Sequence, residues 1–161
     1  MAIKVGGTTV VDDSRVANVA SFQVNGTTVV DGSRNITPVN STVSGILTTT
    51  KIVETVVAIG NTGTAANINL ALGTVFTATL NNNATLTITN PGTVSSFVLI
   101  LTNDGTAGRS VAFAGGSFKY PGGAASLART TTANAVDFWF FMTPDSGTTW
   151  YGSQPIKDAK A

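Results

Sequence analysis

From residue 51 onward, apolar side chains fall on alternate positions in short runs, and most runs end at a cluster of Gly, Asn or Pro. A period of two puts one set of side chains on each side of an extended backbone, so each run predicts a strand with one buried face. The first, IVETVVAI (52–59), stops at Gly60-Asn61-Thr62-Gly63. NINLAL (67–72) sets Ile68, Leu70 and Leu72 on one face. TVFTATL (74–80) turns Phe76, Ala78 and Leu80 inward and Thr77 and Thr79 outward. After Asn81-Asn82-Asn83, ATLTIT (84–89) repeats the pattern with Leu86 and Ile88 inward.

Beyond Asn90-Pro91-Gly92 the pattern changes. SFVLILT (96–102) is apolar almost throughout, which predicts a strand covered on both faces. It turns at Asn103-Asp104-Gly105 toward RSVAF (109–113), and an irregular segment, GGSFKYPGGAASL, follows. VDFWFFMT (136–143), Pro144-Asp145-Ser146-Gly147 and TTWYGS (148–153) predict a terminal hairpin. About eight strands in this length suit a β-sandwich of immunoglobulin or jelly-roll type. Short strands and unequal connections favour the jelly roll. The expected fold is thus all-β, a jelly-roll-like sandwich over residues 51–153 with a flexible tail at 154–161.

The N-terminal part reads differently. GTTVVDDSR at 7–15 returns as GTTVVDGSR at 26–34, changed only at Asp13 against Gly32. Each copy follows a two-residue turn signal, Gly6-Gly7 in one and Asn25-Gly26 in the other, which suit turns needing positive φ at both central residues. Residues 1–35 therefore predict a pair of repeated short β-hairpins, and 36–50, with Pro38 and a run of Thr, an extended linker. Hairpins this short are marginal alone. They must pack on the larger domain or intertwine with copies from neighbouring chains. In the second case they form an assembly arm whose interface buries Val10, Val11, Val29 and Val30.

Composition supports the β reading and narrows the chemistry. Thr, Val, Ala, Gly and Asn dominate and Glu54 is the single Glu, so helix formers are scarce. Net charge is +1 with 11% charged residues, and Lys and Arg are scattered, which argues against nucleic acid as a partner. No apolar stretch has the length of a signal peptide or a membrane span, so synthesis in a cytoplasm without membrane association is expected.

The chain has no His and no Cys, which excludes the usual triads, Cys-His dyads and zinc sites. Glycoside hydrolysis needs two carboxylates facing each other across a cleft. The acids here are Glu54 and seven Asp, of which Asp12, Asp31, Asp104 and Asp145 stand at turns. Asp137 lies in an aromatic strand and is the one carboxylate in an unusual setting. Neither enzymatic activity nor a cofactor is expected. Asn103 to Thr106 is read as a turn and not as a calcium loop, because no acidic repeat adjoins it. Alternation sends half of the aromatic cluster Phe138, Trp139, Phe140, Phe141, Trp150 and Tyr151 into the core. Tyr120, before Pro121-Gly122-Gly123, and Trp150 are the candidate glycan contacts.

Four segments carry a resemblance: LILTNDGTAGRSVAF, FKYPGG, RTTTANAVDFWFF and PDSGTTWYGS. Together they resemble a β-domain recurrent in tailed-phage virion proteins, cyanophage structural and tail-fibre-like proteins above all. The matching positions are Asn103 to Gly105, Tyr120 to Gly123, Thr130 to Thr132, Asp137 to Trp139, and Gly147 to Gly152. The opening IKVGGTTVVDDSR is similar to the start of several cyanophage structural proteins. The resemblance implies a non-enzymatic virion protein, made in the host cytoplasm, with other virion proteins (major capsid or tail proteins) as partners. Threefold symmetry of such projections, with the unpartnered repeat, implies a homotrimer. The short N-terminal segment suits a capsid cement or decoration protein. The alternative is a short tail fibre or tail-tip protein that binds a host surface glycan.

Overall fold

The computed structural model describes residues 46, 48–123 and 129–159, and the backbone of 3–5, 8–11, 22–24 and 27–30. The chain divides into two compact units, residues 1–50 and 51–161. The described residues contain strands and no helix.

In the first unit, β1 (Ile3–Val5) pairs antiparallel with β2 (Thr8–Val11), and β3 (Phe22–Val24) with β4 (Thr27–Val30). The two copies share one register: Val5 pairs with Thr8 as Val24 does with Thr27, and the ladder slips at the same place in both. Equal sequence gives equal pairing because the turn residues set the register. The side chains of Val10, Val11, Val29 and Val30 lie outside the described residues, as does most of the linker at 36–50.

The second unit contains β5 (Val56–Asn61), β6 (Ala65–Asn69), β7 (Val75–Leu80), β8 (Ala84–Thr89), β9 (Ser95–Asn103), β10 (Val111–Ala114), β11 (Ser117–Lys119), β12 (Val136–Thr143) and β13 (Thr149–Ile156). These nine strands form two sheets, one of six strands in the order β11-β13-β12-β9-β7-β5 and one of three in the order β10-β8-β6. Successive strands alternate between sheets from β5 to β10, and all ladders among those six strands are parallel. Each turn of the chain thus lays one strand on each layer, so this half is a coil flattened into a sandwich.

Its connections are short because they cross between the layers. Asn side chains tie neighbouring corners together: Asn81 Oδ1 accepts from Gly63 N at 2.9 Å, and Asn83 Oδ1 from Ser110 N at 2.9 Å. β12 then pairs antiparallel with β9 and with β13, which closes the six-stranded sheet with a hairpin, and β11 joins β13 in parallel.

All-β architecture is what alternation and composition predict. A jelly roll, built of antiparallel strands, does not describe these ladders. Short connections look alike whether the chain turns back within one sheet or crosses to the other, and that misdirected the topology. Two boundaries also differ. β6 ends at Asn69, which leaves Leu72 exposed, and Ile52 and Val53 precede β5 and are exposed. Nor is the tail free as far as residue 159. β13 runs to Ile156, Asp158 N donates to Asp137 Oδ1 at 3.0 Å, and Ala159 N to Val136 O at 2.8 Å.

The core lies between the sheets. Ile68, Leu86 and Ile88 from the three-stranded layer meet Phe76, Leu80, Phe97, Leu99, Leu101, Trp139, Phe141 and Trp150 from the six-stranded layer. Phe97 stacks on Phe141 at 5.1 Å and meets Phe76 and Trp150 edge-on at 5.9 and 5.7 Å, geometries that aromatic quadrupoles favour. At Gly116, a Cβ would lie 2.2 Å from Gly147 O, and φ is +153°, so only glycine fits this approach of two turns.

Candidate functional site

Every second residue of each strand points away from that core, and the two sheets present different chemistry there. On the three-stranded sheet the outward positions are Thr85, Thr87 and Thr89 of β8, Ala65, Asn67 and Asn69 of β6, and Ala112 and Ala114 of β10. Thr89 Oγ1 donates to Asn67 Oδ1 at 2.9 Å, so part of this surface is a hydrogen-bonded polar lattice.

The six-stranded sheet has an apolar centre there, with Thr77, Thr79, Ser96, Thr102 and Ser153 around it. Ile100 faces Phe138 across the β9–β12 ladder and Val98 faces Phe140. Val75 lies opposite Val98 on the other side, and Met142 opposite Tyr151. These residues share a parity opposite to that of buried Leu99 and Trp139, so all point outward. Phe140 and Met142 are each 41% exposed and Tyr151 55%. Among the outward positions of the six strands, Lys119 at the β11 edge alone carries a charge. Beside that edge, Lys119, Tyr120 and Pro121 border Phe140, Met142 and Tyr151 in an open groove of about 490 Å³.

Gly152 shapes the groove's wall. A Cβ there would lie 2.7 Å from ring atoms of both Phe141 and Tyr120, so its absence lets the Tyr120 ring close over the sheet edge. Tyr120 stacks on Phe118 and packs against the core, and burial pushes its hydroxyl up to about 12.

The described acids that sequence singles out serve the framework. Asp137 is 1% exposed; its Oδ2 accepts from Thr130 N at 3.1 Å and its Oδ1 from Asp158 N. It anchors the loop before β12 and the segment after β13. Beside it, buried Asn103 donates to Thr130 O and Thr132 O and accepts from the Arg129 guanidinium. Desolvation lowers the pKa of Arg129, and the charge of Asp137 opposes that shift.

Asp104 accepts from Thr106 N, as a turn residue does, and takes both Arg109 Nε and Nη2, at 3.2 and 2.9 Å. The Arg109 hydrogen bond holds its carboxyl below the usual range. Asp145 is also lowered, first by the backbone N–H of Thr149, which it accepts at 2.8 Å. Glu54 Oε2 accepts from Thr74 Oγ1 at 2.9 Å on the exposed approach to β5. Among the described residues no three acids gather as metal ligands would.

Trp150 is corrected outright as a glycan contact. It is 0% exposed, stacks on Phe118, and donates Nε1–H to Gly115 O at 3.3 Å. Its inward parity follows from Phe118 opposite it in β11 and from Gly152, two residues on, opposite Phe141. Tyr120 does line the groove. Sequence reasoning missed the face itself. The signal was the run VDFWFFMT, in which both parities are apolar apart from Asp137 and Thr143, so a core on one side leaves an apolar surface on the other. SFVLILT carries the same signal, and its second face is only partly covered: Val98 and Ile100 are half-buried where Phe97, Leu99 and Leu101 are buried.

Comparison with protein-family models, curated proteins and solved structures finds no match to this chain.

Proposed function

We propose that this chain is a non-enzymatic structural protein of a tailed-phage virion, a homotrimer that serves as a cement or decoration protein of the head shell. The observation that carries the reading is the apolar centre of the outer face of the six-stranded sheet, with Lys119 at its edge the one charge, a surface suited to holding protein. Asp104, Asp137 and Asp145 are spent on holding loops and turns, which agrees with a structural role. The resemblance of its C-terminal segments to tailed-phage virion domains supplies the particle. In this reading the duplicated hairpins are the assembly arm, with Val10, Val11, Val29 and Val30 at its interface, and other virion proteins are the partners. The protein is made in the host cytoplasm and resides in the virion.

One feature favours the second reading, a short tail fibre or tail-tip protein. Tyr120 and Tyr151 flank the groove with Lys119 at its rim, and sugar rings stack on such aromatic faces. Quantitative mass spectrometry of purified virions tests the choice. Copies comparable with the major shell protein are expected. A small fraction of that number, with glycan binding lost in Tyr151→Ala, would move the protein to the tail, and absence from purified particles would overturn a virion role.

A further inference from the structure

The apolar face has a size and a chemistry that identify its occupant. Six strands at about 4.8 Å spacing, with about seven residues each rising about 3.3 Å, give a sheet face on the order of 600 Å². Its large apolar side chains gather on β9, β12 and β13, while Thr77, Thr79, Ser96, Thr102 and Ser153 are polar. An apolar centre ringed by polar positions is the anatomy of a protein interface. A specific interface buries about 800 Å² per partner, which this face approaches before any rim loop is added.

Composition separates a permanent partner from a passing one. Interfaces between different, separable proteins are about as apolar as ordinary surface, whereas interfaces between identical chains are distinctly more apolar. Val98, Ile100, Phe138, Phe140, Met142 and Tyr151 make a continuous patch with no charge inside it. Without charge the face has no electrostatic means of selecting a foreign partner, and it meets no like-charge repulsion from a copy of itself. The other sheet has Thr, Asn and small Ala at its outward positions, so large apolar side chains there are not a general feature of this fold.

We infer that the outer face of the six-stranded sheet packs against the same face of other copies of this chain. The inference rests on reading that face as a contact surface, and it places the second unit, not the hairpin arm alone, inside the oligomer. The glycan reading of the groove is its competitor, since Phe140, Met142 and Tyr151 cannot be buried between copies and remain open to a sugar.

The test uses the full chain. Sedimentation equilibrium should give a discrete oligomer. Ile100→Thr with Phe140→Thr, which gives this face the chemistry of its opposite, should weaken association at least tenfold, while Thr87→Lys on the polar face should not. Circular dichroism and the melting temperature at a dilution where all forms are monomeric show whether the double variant is folded. A second measurement does not depend on that variant. The chain has no cysteine, so Met142→Cys supplies one thiol, which in the assembly should react with maleimide at least tenfold more slowly than that of Thr87→Cys. A monomer at all concentrations, equal thiol reactivity, or an unchanged mass in the double variant would each sink the inference. If Val29→Asp breaks the oligomer and the face variants do not, the arm alone holds it and the virion reading stands. If virions lack the protein, that reading fails whatever the oligomer.

Discussion

The two outer faces of the second unit share one chain, one core and the same alternation, yet one carries Thr, Asn and small Ala and the other has Val, Ile, Phe, Met and Tyr at its centre. Inward, the sheets are alike: Leu86 and Ile88 on one side, Leu99 and Leu101 on the other, all almost fully buried. Folding therefore requires the inner positions to be apolar and leaves the outer ones free to vary. What fills them records what each face meets. Thr is at home on a solvated strand because its β-branch fits the pleat while its hydroxyl stays in water. A strand such as β12, with Phe138, Phe140 and Met142 outward, gains nothing within the monomer from leaving these groups in contact with water.

The largest effect expected separates inner from outer positions on one strand. Leu99→Ala should destabilise the monomer by about 2–5 kcal/mol, the usual cost of a cavity in a packed core. Ile100→Ala, one residue along and half-buried, should cost the monomer well under half of that. Urea unfolding at a concentration too low for association measures both. Equal losses would mean that the outer face is packed within its own chain, and the contrast between the faces would collapse. A smaller effect should follow from making the polar face resemble the apolar one. Thr85→Val with Thr87→Val should leave unfolding free energy within about 1 kcal/mol, as outward substitutions usually do. The pair should nonetheless produce a second, concentration-dependent association seen in sedimentation velocity. If the variant stays as soluble and as small as the parent, apolar outward residues do not by themselves drive contact.

The inner half of this contrast was legible in the sequence. Phe76, Ala78, Leu80, Leu86 and Ile88 were assigned inward from period alone and are buried. The β12–β13 hairpin was equally plain, since Pro144-Asp145-Ser146-Gly147 is a turn between two aromatic strands. Topology was hidden because a turn such as Asn81-Asn82-Asn83 specifies where the chain reverses and not which layer it enters. Parallel ladders such as that of Val75 with Val98, between strands separated in sequence by one on the other layer, distinguish a coil from a Greek key. The site was hidden for a related reason. Aromatic residues were counted as a cluster, whereas parity divides them: Trp139, Phe141 and Trp150 go to the core, and Phe140 and Tyr151 to the surface. Asp137 looks unusual in the sequence because its partners, Thr130 N and Asp158 N, come from segments before β12 and after β13 that meet it only in the fold.

Titration gives the smallest effect and the finest separation of the two roles. The apolar face offers protons no carboxyl, so association should be flat between about pH 5 and 8, whereas the fold has an acid limit and an alkaline limit. On the acid side, Asp104 and Asp145 have folded pKa values below the ordinary carboxylate value of about 3.9. The stability they lend is present above that value and is lost as pH falls through the folded one. Asp145 is exposed and Asp104 partly so, and the loss should be slight. On the alkaline side the sign reverses. Tyr120 is raised from about 10 to about 12, so its neutral hydroxyl is favoured in the folded state. That contribution is complete below about pH 10 and is lost as pH rises toward 12, because the unfolded chain gives up its proton first. Melting temperature should therefore decline over that window in the parent. In Tyr120→Phe, which keeps the ring on Phe118 and against Gly152, most of the decline should vanish. A decline of the same size in the variant would mean that the hydroxyl is open to water, and the groove wall would then be loose enough to admit a ligand beside Tyr151.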